Sequence, residues 1–355
     1  MPETYHYRSW TCPAASTADD RVLLAHGEGG RLMRKLLNER ILPILGVTSH
    51  EDAAPVHFGK GDSAGSQLAI TSDSFVVSPL FFPGGDIGCL AIYGTLNDLA
   101  VAGAQPLCLT LSLIIEEGFS LELLEQILTS AAGAAKATHT PIVAGDTKVV
   151  PRGAADGLFI NTTAVGRYRT ATRLSSQAIQ VGDVLIASGP IGQHGIAVMA
   201  ARENLQLQPA PRSDCASLVD ACHSIQHALG SDLRAMRDAS RGGVLAVMHE
   251  WAEACGATMQ LVESRLPVAS HTRGACELLG LDPLAVANEG TFIAAVAPQA
   301  VERALASLGR CPVSAAAQVI GSVVEPLGFP VMIERLFKKL QPLDEPSGAQ
   351  LPRIC

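Results

Sequence analysis

Segments with strand-like and helix-like patterns alternate along most of this 355-residue chain. Leu107, Leu109, Leu111 and Leu113 alternate with smaller or polar residues, and this spacing of two predicts a strand. Ser120 precedes a run with apolar residues at helical spacing, which predicts a capped helix there. Repeated alternation of this kind predicts an α+β, or mixed α/β, fold.

The length and the local composition divide the chain into four parts. A chain of 355 residues is long enough for two domains. We expect a flexible extension over residues 1–20, an N-terminal domain over 21–168 and a C-terminal domain over 169–340. The final segment, 341–355, holds Pro342, Pro346, Gly348 and Pro352, and these breakers predict a mobile tail.

Charge and hydropathy exclude several classes of protein. Lys and Arg number 26 and Asp and Glu 34, so the net charge is −8, and the chain has no basic run. Nucleic-acid and anionic-membrane surfaces are therefore poor candidates. No apolar stretch reaches the length of a membrane span, and the N-terminus lacks the pattern of a signal peptide. These features predict a cytoplasmic protein.

The cysteines argue against a disulfide framework. There are nine, no two form a CxxC pair, and the last residue, Cys355, is one of them. An odd number leaves at least one thiol unpaired, and the missing CxxC spacing argues against a zinc site. An incidental terminal cysteine is one explanation of Cys355. A nucleophile delivered into a pocket by the tail is the other.

Four aspartates lie at similar positions relative to the predicted strands and helices. Asp73, Asp146 and Asp238 each follow a short apolar strand, and Asp98 lies beside Asn97 on the polar side of a helix that Asp86 begins. Hard oxygen ligands from several elements suit Mg²⁺, whereas helix capping explains any one of these residues alone. We predict the strand before Asp146 to cover Ile142–Ala144 and to stop at Gly145-Asp146.

Glycine-rich turns accompany these aspartates. Glycine lets backbone N–H groups approach an anion, although tight turns between elements explain each pair alone. Neither the Walker A spacing nor a GxGxxG fingerprint is present. The turns are His26-Gly-Glu-Gly-Gly30, Gly84-Gly85, Gly145-Asp-Thr-Lys148 and Arg241-Gly-Gly243.

Lys148 and Glu289 each have two possible roles between which the sequence does not decide. Lys148 follows Asp146 by two positions, where a lysine either binds phosphate or lies on the surface. Glu289 precedes a predicted strand, where a carboxylate is either a general base or a turn residue.

Several short segments, spread from about Leu23 to the end of the sequence, together resemble the HypE family of [NiFe]-hydrogenase maturation proteins. The terminal Pro-Arg-Ile-Cys is the most specific of them. The others are the four turns above, Asp73-Ser-Phe-Val-Val-Ser-Pro-Leu-Phe-Phe-Pro-Gly-Gly85, Phe159-Ile-Asn-Thr162, Arg237-Asp-Ala-Ser-Arg-Gly-Gly243 and Asn288-Glu-Gly290.

The resemblance implies a two-domain fold of the aminoimidazole ribonucleotide synthetase type, also called PurM-like. Its N-terminal domains pair into a β-barrel in a homodimer. It also implies an ATP-dependent carbamoyl dehydratase, in which the carbamoyltransferase HypF loads the terminal thiol. Loss of water then yields a thiocyanate, and the cyano group passes to iron on the HypC–HypD complex.

The resemblance also implies roles for individual residues. Cys355 carries the substrate, with Lys148 and Glu289 beside it. Asp73, Asp98, Asp146 and Asp238 are implied on Mg²⁺ and the ATP phosphates. Further ATP contacts are implied for His26, Gly29, Gly30, Asn97, Gly145, Thr147 and Lys148.

Two other functions fit parts of the sequence. One is a related ATP-dependent enzyme that makes selenophosphate or phosphorylates thiamine phosphate. The selenophosphate enzymes need a thiol or selenol in the early glycine loop, which here contains neither. The other is a non-catalytic scaffold whose tail only docks partners.

Overall fold

The computed structural model describes residues 21–27, 29–46, 51–56, 68–169, 173–345 and 354–355. The predicted extension over residues 1–20 lies outside this range, as do Glu28 and residues 346–353 of the predicted tail.

Strands and helices alternate through both halves of the chain. The strands are β1 Ala54–Val56, β2 Leu68–Phe75, β3 Phe81–Phe82, β4 Gly85–Asp86, β5 Ala104–Glu116, β6 Ile142–Val150, β7 Leu158–Tyr168, β8 Val184–Ala187, β9 Leu233–Asp238, β10 Thr258–Val262, β11 Phe292–Val296, β12 Gln318–Val324, β13 Val331–Glu334 and β14 Leu340–Pro342. The helices are α1 Arg31–Leu36, α2 Leu42–Leu45, α3 Ile87–Val101, α4 Leu121–Ala137, α5 Gln193–Arg202, α6 Val219–Leu229, α7 Gly243–Cys255, α8 Ser270–Leu279 and α9 Val301–Leu308.

The N-terminal half is built on a five-stranded sheet in the order β1-β2-β7-β5-β6. β7 is antiparallel to both β2 and β5, and β6 is parallel to β5. Helix α3 packs on β2, β5 and β7, and α4 packs on α3. β6 is thus an edge strand of the described sheet, and its residues 142–149 are exposed.

The C-terminal half is built on a seven-stranded sheet in the order β14-β13-β10-β12-β8-β11-β9. β11 is buried at every position, because it lies between β8 and β9 with helices over the sheet. The asparagine and glutamate that precede β11, Asn288 and Glu289, are buried as well. This sheet therefore brings the end of β9, at Asp238, and the segment just before β11, with Glu289, to the same side of the domain.

Several elements predicted from the sequence are confirmed. Asp86 caps α3, since its Oδ1 accepts hydrogen bonds from the N–H groups of Gly88 and Cys89 at 2.7 and 3.2 Å. Ser120 caps α4 through the N–H of Leu123. The predicted strand over 107–115 lies within β5.

Predicted boundaries differ from the structure at three places. β2 does not stop at Asp73 but continues to Phe75. β6 does not stop at Gly145-Asp146 but continues to Val150, because parallel pairing with β5 runs on through Glu116 and Val150. Asp146 consequently lies inside a strand rather than at its end. The predicted tail begins inside β14, where Gln341 pairs with Ile333 of β13.

Among the described residues, no helix combines the length and the apolar character needed to cross a bilayer.

Candidate active site

A cavity of about 660 Å³ lies between the two halves of the chain. The N-terminal half contributes Asp73 and Asp98 to its wall, and the C-terminal half contributes Asp238 and Glu289. The terminal residue, Cys355, lines the same cavity. The fold thus brings together acidic residues that are far apart in the sequence.

Three carboxylates form the most compact acidic group in the described part of the chain. Asp52, Asp98 and Asp238 each place one oxygen within 4.8 Å of the others. Burial is the main cause of a raised pKa for all three, and repulsion from nearby carboxylates raises it further. Such a cluster resists full ionisation until a cation enters.

Neighbouring side chains hold this carboxylate cluster in place. Thr71 Oγ1 donates a hydrogen bond to Asp98 Oδ2 at 2.8 Å. Arg237 Nε lies 2.9 Å from Asp52 Oδ1, and Arg237 Nη2 lies 3.2 Å from Glu250 Oε2. These contacts fix two of the three carboxylates before any ion binds.

The donor set of the carboxylate cluster fits a magnesium ion. All three groups offer hard carboxylate oxygens, which Mg²⁺ prefers over nitrogen or sulfur. Burial raises the pKa of each carboxyl, and a divalent cation would favour their charged forms.

A second charged contact lies beside the carboxylate cluster. Arg241 Nη2 is 3.2 Å from Asp73 Oδ1. Burial opposes the charge of Arg241, yet Cys355 and the surrounding aspartates raise its pKa above the ordinary value. Arg241 therefore stays a cation in the cavity wall and is available to an anionic ligand.

The first glycine turn packs directly on the turn that holds Arg241. A Cβ atom on Gly29 would lie 2.9 Å from the backbone of Arg241 and Gly242, and Gly29 has a φ of +79°. Both features require glycine. Gly29 and Gly30 line the cavity, so their backbone is close to the carboxylate cluster and to Arg241.

Glu289 is buried and incompletely paired. Its side chain is 4% exposed, and its Oε1 has no hydrogen-bond partner among the described residues. Burial is the main cause that raises the pKa of Glu289 well above the usual range, and Asp238 raises it further. A carboxyl with a raised pKa that faces a cavity is suited to general acid–base chemistry.

Hydrogen bonds hold the backbone around Glu289. Its N–H donates to Asp214 Oδ1 at 3.1 Å, and its carbonyl accepts from Asn97 Nδ2 at 3.3 Å. Asn97 also accepts from the N–H of Leu218 at 2.7 Å. Asn97 does not line the cavity, so it supports Glu289 from behind.

The end of the chain is anchored at the cavity. Ile354 is 3% exposed within the core that joins the two halves. The N–H of Val76 donates to the main-chain carboxylate of Cys355 at 3.1 Å. The last residue is thus placed among the acidic residues and Arg241.

Two family models match the chain. AIR synthase related protein, N-terminal domain, matches residues 50–168, and AIR synthase related protein, C-terminal domain, matches residues 180–332. Carbamoyl dehydratase HypE of Escherichia coli strain K12 is 44% identical over 339 residues, covering 95% of this chain and 100% of that protein. Carbamoyl dehydratase HypE of Rhizobium leguminosarum bv. viciae is 43% identical over 343 residues, covering 95% of this chain and 96% of that protein.

The chain belongs to the HypE family of carbamoyl dehydratases.

Solved structures agree with this assignment. E. coli HypE, described as a hydrogenase maturation protein, superposes with a TM-score of 0.79 at 44% identity, covering 91% of this chain and 100% of its own. HypE from a HypE–HypF complex gives 0.82 at 39% identity, with coverage of 88% and 99%. HypE in complex with ATP gives 0.78 at 37% identity, with coverage of 92% and 98%. Thiamine monophosphate kinase from Aquifex aeolicus, at 18% identity and a TM-score of 0.63, with coverage of 88% and 100%, shares the fold alone.

Several residues predicted for the HypE-type site lie away from the cavity. Gly145, Asp146, Thr147 and Lys148 are exposed on β6, where Lys148 Nζ is 3.5 Å from Asp146 Oδ2. His26 Nδ1 accepts from the N–H of Leu23 at 2.9 Å and does not line the cavity. Within this chain, the residues that do meet there are Gly29, Gly30, Asp73, Asp98, Asp238, Glu289 and Cys355.

The sequence reasoning missed Asp52 and left Arg241 only as part of a turn. Asp52 precedes the short strand β1, and no strand-end pattern marks it. Arg241 follows Ser240 in a turn next to Asp238, and only that proximity indicated it. The pairing of Asp52 with Asp98 and Asp238 depends on tertiary structure, which no local pattern encodes.

Proposed function

We propose that this chain dehydrates a carbamoyl group carried on the Cys355 thiol to a thiocyanate, using ATP and Mg²⁺. The product supplies cyanide ligands for the iron of [NiFe]-hydrogenase. The observation that carries this proposal is the position of Cys355, which lines the cavity that also holds the carboxylate cluster and Glu289. A substrate bound covalently at the end of the chain is thereby presented to these groups.

The chemistry requires activation of the carbamoyl oxygen. Oxygen is a poor leaving group from an amide, and transfer of the ATP γ-phosphoryl group to it makes the leaving group phosphate. The C–O bond then breaks, both N–H protons are lost, and a C≡N bond forms, with ADP and phosphate as the other products. Glu289, whose pKa is raised by burial, accepts one of these protons.

The cavity wall provides the charges that such a reaction needs. Asp52, Asp98 and Asp238 would hold Mg²⁺, and Asp73 lies beside them in the wall. When bound, the ion neutralises phosphate charge that develops during transfer. Arg241 supplies further positive charge, and the backbone of Gly29 and Gly30 lines the same space.

We propose that the chain acts as a homodimer joined through β6. β6 is an edge strand of nine residues, and Ile142, Val143 and Val149 are 40%, 60% and 67% exposed. A long edge with exposed apolar side chains favours pairing with another strand. A second copy that closes the sheets into a barrel would cover this edge.

The same pairing accounts for the residues on β6. Gly145, Asp146, Thr147 and Lys148 do not line the cavity of their own chain. In the proposed homodimer, β6 of one copy brings Asp146 and Lys148 to the cavity of the other. Lys148 then stabilises the activated oxygen of the substrate on Cys355, and Asp146 joins the acidic residues there.

Two partners complete the proposed sequence of reactions. A carbamoyltransferase of the HypF type loads the thiol, which is supported by the solved complex of a relative with HypF. A HypC–HypD complex accepts the cyano group on iron. A terminal thiol suits this task, because one group must reach both partners and the cavity.

The intact mass of the chain tests this function. The chain is incubated with a HypF-type carbamoyltransferase, its carbamoyl donor and Mg²⁺, first without and then with ATP. We expect a gain of one carbamoyl group on Cys355, followed by the loss of one water when the chain turns over ATP. A carbamoylated chain that never loses water contradicts the dehydratase function, and a chain that is never modified supports a scaffold.

A further inference from the structure

A buried histidine touches the end of the chain. His194 lies in the first turn of α5 and is 0% exposed. Its Nε2 is 2.9 Å from the carbonyl oxygen of Ile354, the residue before Cys355. Within the described residues, this is a direct side-chain hydrogen bond to the main chain next to the terminal cysteine.

The hydrogen bonds define which nitrogen of His194 carries the proton. A carbonyl oxygen only accepts, so Nε2–H donates to Ile354. Nδ1 then accepts from the hydroxyl of Ser213, whose Oγ is 2.7 Å away. Burial lowers the pKa of His194 to about 4, so the ring is neutral and keeps this single tautomer at neutral pH.

Ser213 is itself held by the N-terminal half. Its N–H donates to the carbonyl of Pro83 at 2.8 Å, and its Oγ accepts from the N–H of Cys215 at 3.0 Å. A Cβ atom on Gly84 would lie 2.8 Å from Ser213, so the two backbones are in close contact. The ring of Phe82 packs edge-on against His194, with centroids 5.3 Å apart.

The two terminal residues thus form hydrogen bonds with both halves of the chain. His194 binds the carbonyl of Ile354 from the C-terminal half, and the N–H of Val76 donates to the main-chain carboxylate of Cys355 from the N-terminal half. The side chain of Ile354 is buried. Both contacts are made by main-chain atoms of the two terminal residues, and Cys355 lines the cavity.

We infer that His194 is a positioning residue, which docks the end of the chain by its Nε2–H and so places the Cys355 thiol in the cavity. The docking site takes a penultimate residue with an apolar side chain, and it binds the main-chain carbonyl of that residue through an uncharged donor. Docking of the chain end is measurable without ATP or any partner. Only the role of the Cys355 thiol as substrate carrier rests on the proposed function.

Alkylation of Cys355 tests the docking directly. The full-length chain is treated with N-ethylmaleimide and then cleaved before Asp344, which releases a peptide whose single cysteine is Cys355. The rate of its modification is compared with that of the synthetic peptide 344–355. The His194→Phe variant keeps a ring but removes the donor, and His194→Gln keeps an N–H at a similar reach.

We expect Cys355 of the wild-type chain to react more slowly than the peptide. His194→Phe should raise its rate about ten-fold, because loss of one buried hydrogen bond shifts a docking equilibrium by that order. His194→Gln should stay within about two-fold of wild type, since the donor is kept. A His194→Phe rate equal to wild type overturns the inference, and so does a His194→Gln rate equal to that of His194→Phe.

A variant of the end itself covers the case in which His194→Phe does not fold. Ile354→Ala removes the buried side chain at the end of the chain, and we expect it to raise the Cys355 rate about ten-fold as well. An unchanged rate in Ile354→Ala contradicts docking at this site. Dehydration is measured separately: protection of Cys355 without any dehydration refutes the proposed function and leaves the docking intact.

Discussion

Asp98 and Asp146 were predicted for the same task, yet the structure gives them opposite surroundings. Asp98 lies in the cavity wall, where Asp52 and Asp238 approach it and burial raises its pKa. Asp146 lies on the edge strand β6, where its side chain is 63% exposed and lies 3.5 Å from Lys148. The cavity wall is thus assembled within one chain, whereas the polar residues of β6 face outward.

This difference is the basis of the proposed homodimer. The cavity already holds a carboxylate cluster, a buried Glu289 and Cys355. It lacks the lysine that the HypE resemblance places beside the substrate, and that lysine is on the exposed edge. In the homodimer proposed above, the cavity wall and β6 are two parts of one site, contributed by different copies.

The largest expected effect comes from Cys355 on the cavity side. Cys355→Ala should abolish covalent carbamoylation, because it removes the nucleophile, while ATP binding stays largely intact. The measurement is intact mass after incubation with a HypF-type carbamoyltransferase, beside ATP binding by calorimetry. Cys311→Ala is the control, since Cys311 packs in a separate core cluster. Full carbamoylation of Cys355→Ala would refute the carrier role.

A smaller but still large effect is expected from Asp98. Asp98→Asn should reduce ATP-dependent dehydration by about 100-fold, because one of three carboxylates that would hold Mg²⁺ is lost. The same variant should weaken Mg²⁺ binding by calorimetry. Asp86→Asn is the control, since Asp86 caps α3 and does not line the cavity. Wild-type Mg²⁺ affinity in Asp98→Asn would contradict the metal assignment.

The carboxylate cluster also predicts the sign of a stability change. A pKa raised in the folded state means that stability is present at low pH and is lost as pH rises above the ordinary carboxyl range. Without Mg²⁺, Asp98→Asn should therefore be more stable than wild type at pH 8, and adding Mg²⁺ should stabilise wild type more than the variant. Urea unfolding with and without Mg²⁺ measures both. A variant that is less stable without Mg²⁺ would show that Asp98 is paired in the folded chain.

The smallest effect concerns His194, whose pKa is lowered to about 4 by burial from its ordinary 6.5. The folded state binds fewer protons than the unfolded state between these values, so stability is lost as pH falls through this window. Between pH 7 and pH 5 the wild type should lose about 2 kcal/mol more than His194→Gln. Urea unfolding at both values checks this. Equal losses in the two proteins would mean that His194 titrates normally.

Much of the fold followed from local patterns. The caps at Asp86 and Ser120 and the alternation in β5 are signals that neighbouring residues carry, so they survive in the folded chain. The extent of β6 did not follow, because its pairing with β5 continues past the glycine at position 145. Pairing of that kind depends on a strand distant in the sequence.

The site was predictable to a lesser degree. Asp238 and Glu289 were indicated by a strand end and a turn, and Asp98 by its place beside Asn97 on a predicted helix; the structure brings all three into one cavity. No local sequence pattern identified Asp52 or His194. Each has its role only because the fold brings it to Asp238 or to the end of the chain, and sequence patterns do not report such contacts.

Mixing two inactive variants tests most directly whether the cavity wall and β6 form one site across two copies. Lys148→Ala and Cys355→Ala are each expected to be inactive in dehydration. When they are unfolded together and refolded, half of the dimers pair one with the other, and one of the two sites in each is intact. The account predicts recovery of about a quarter of wild-type activity. No recovery, with mixed dimers shown to form by mass, would contradict it.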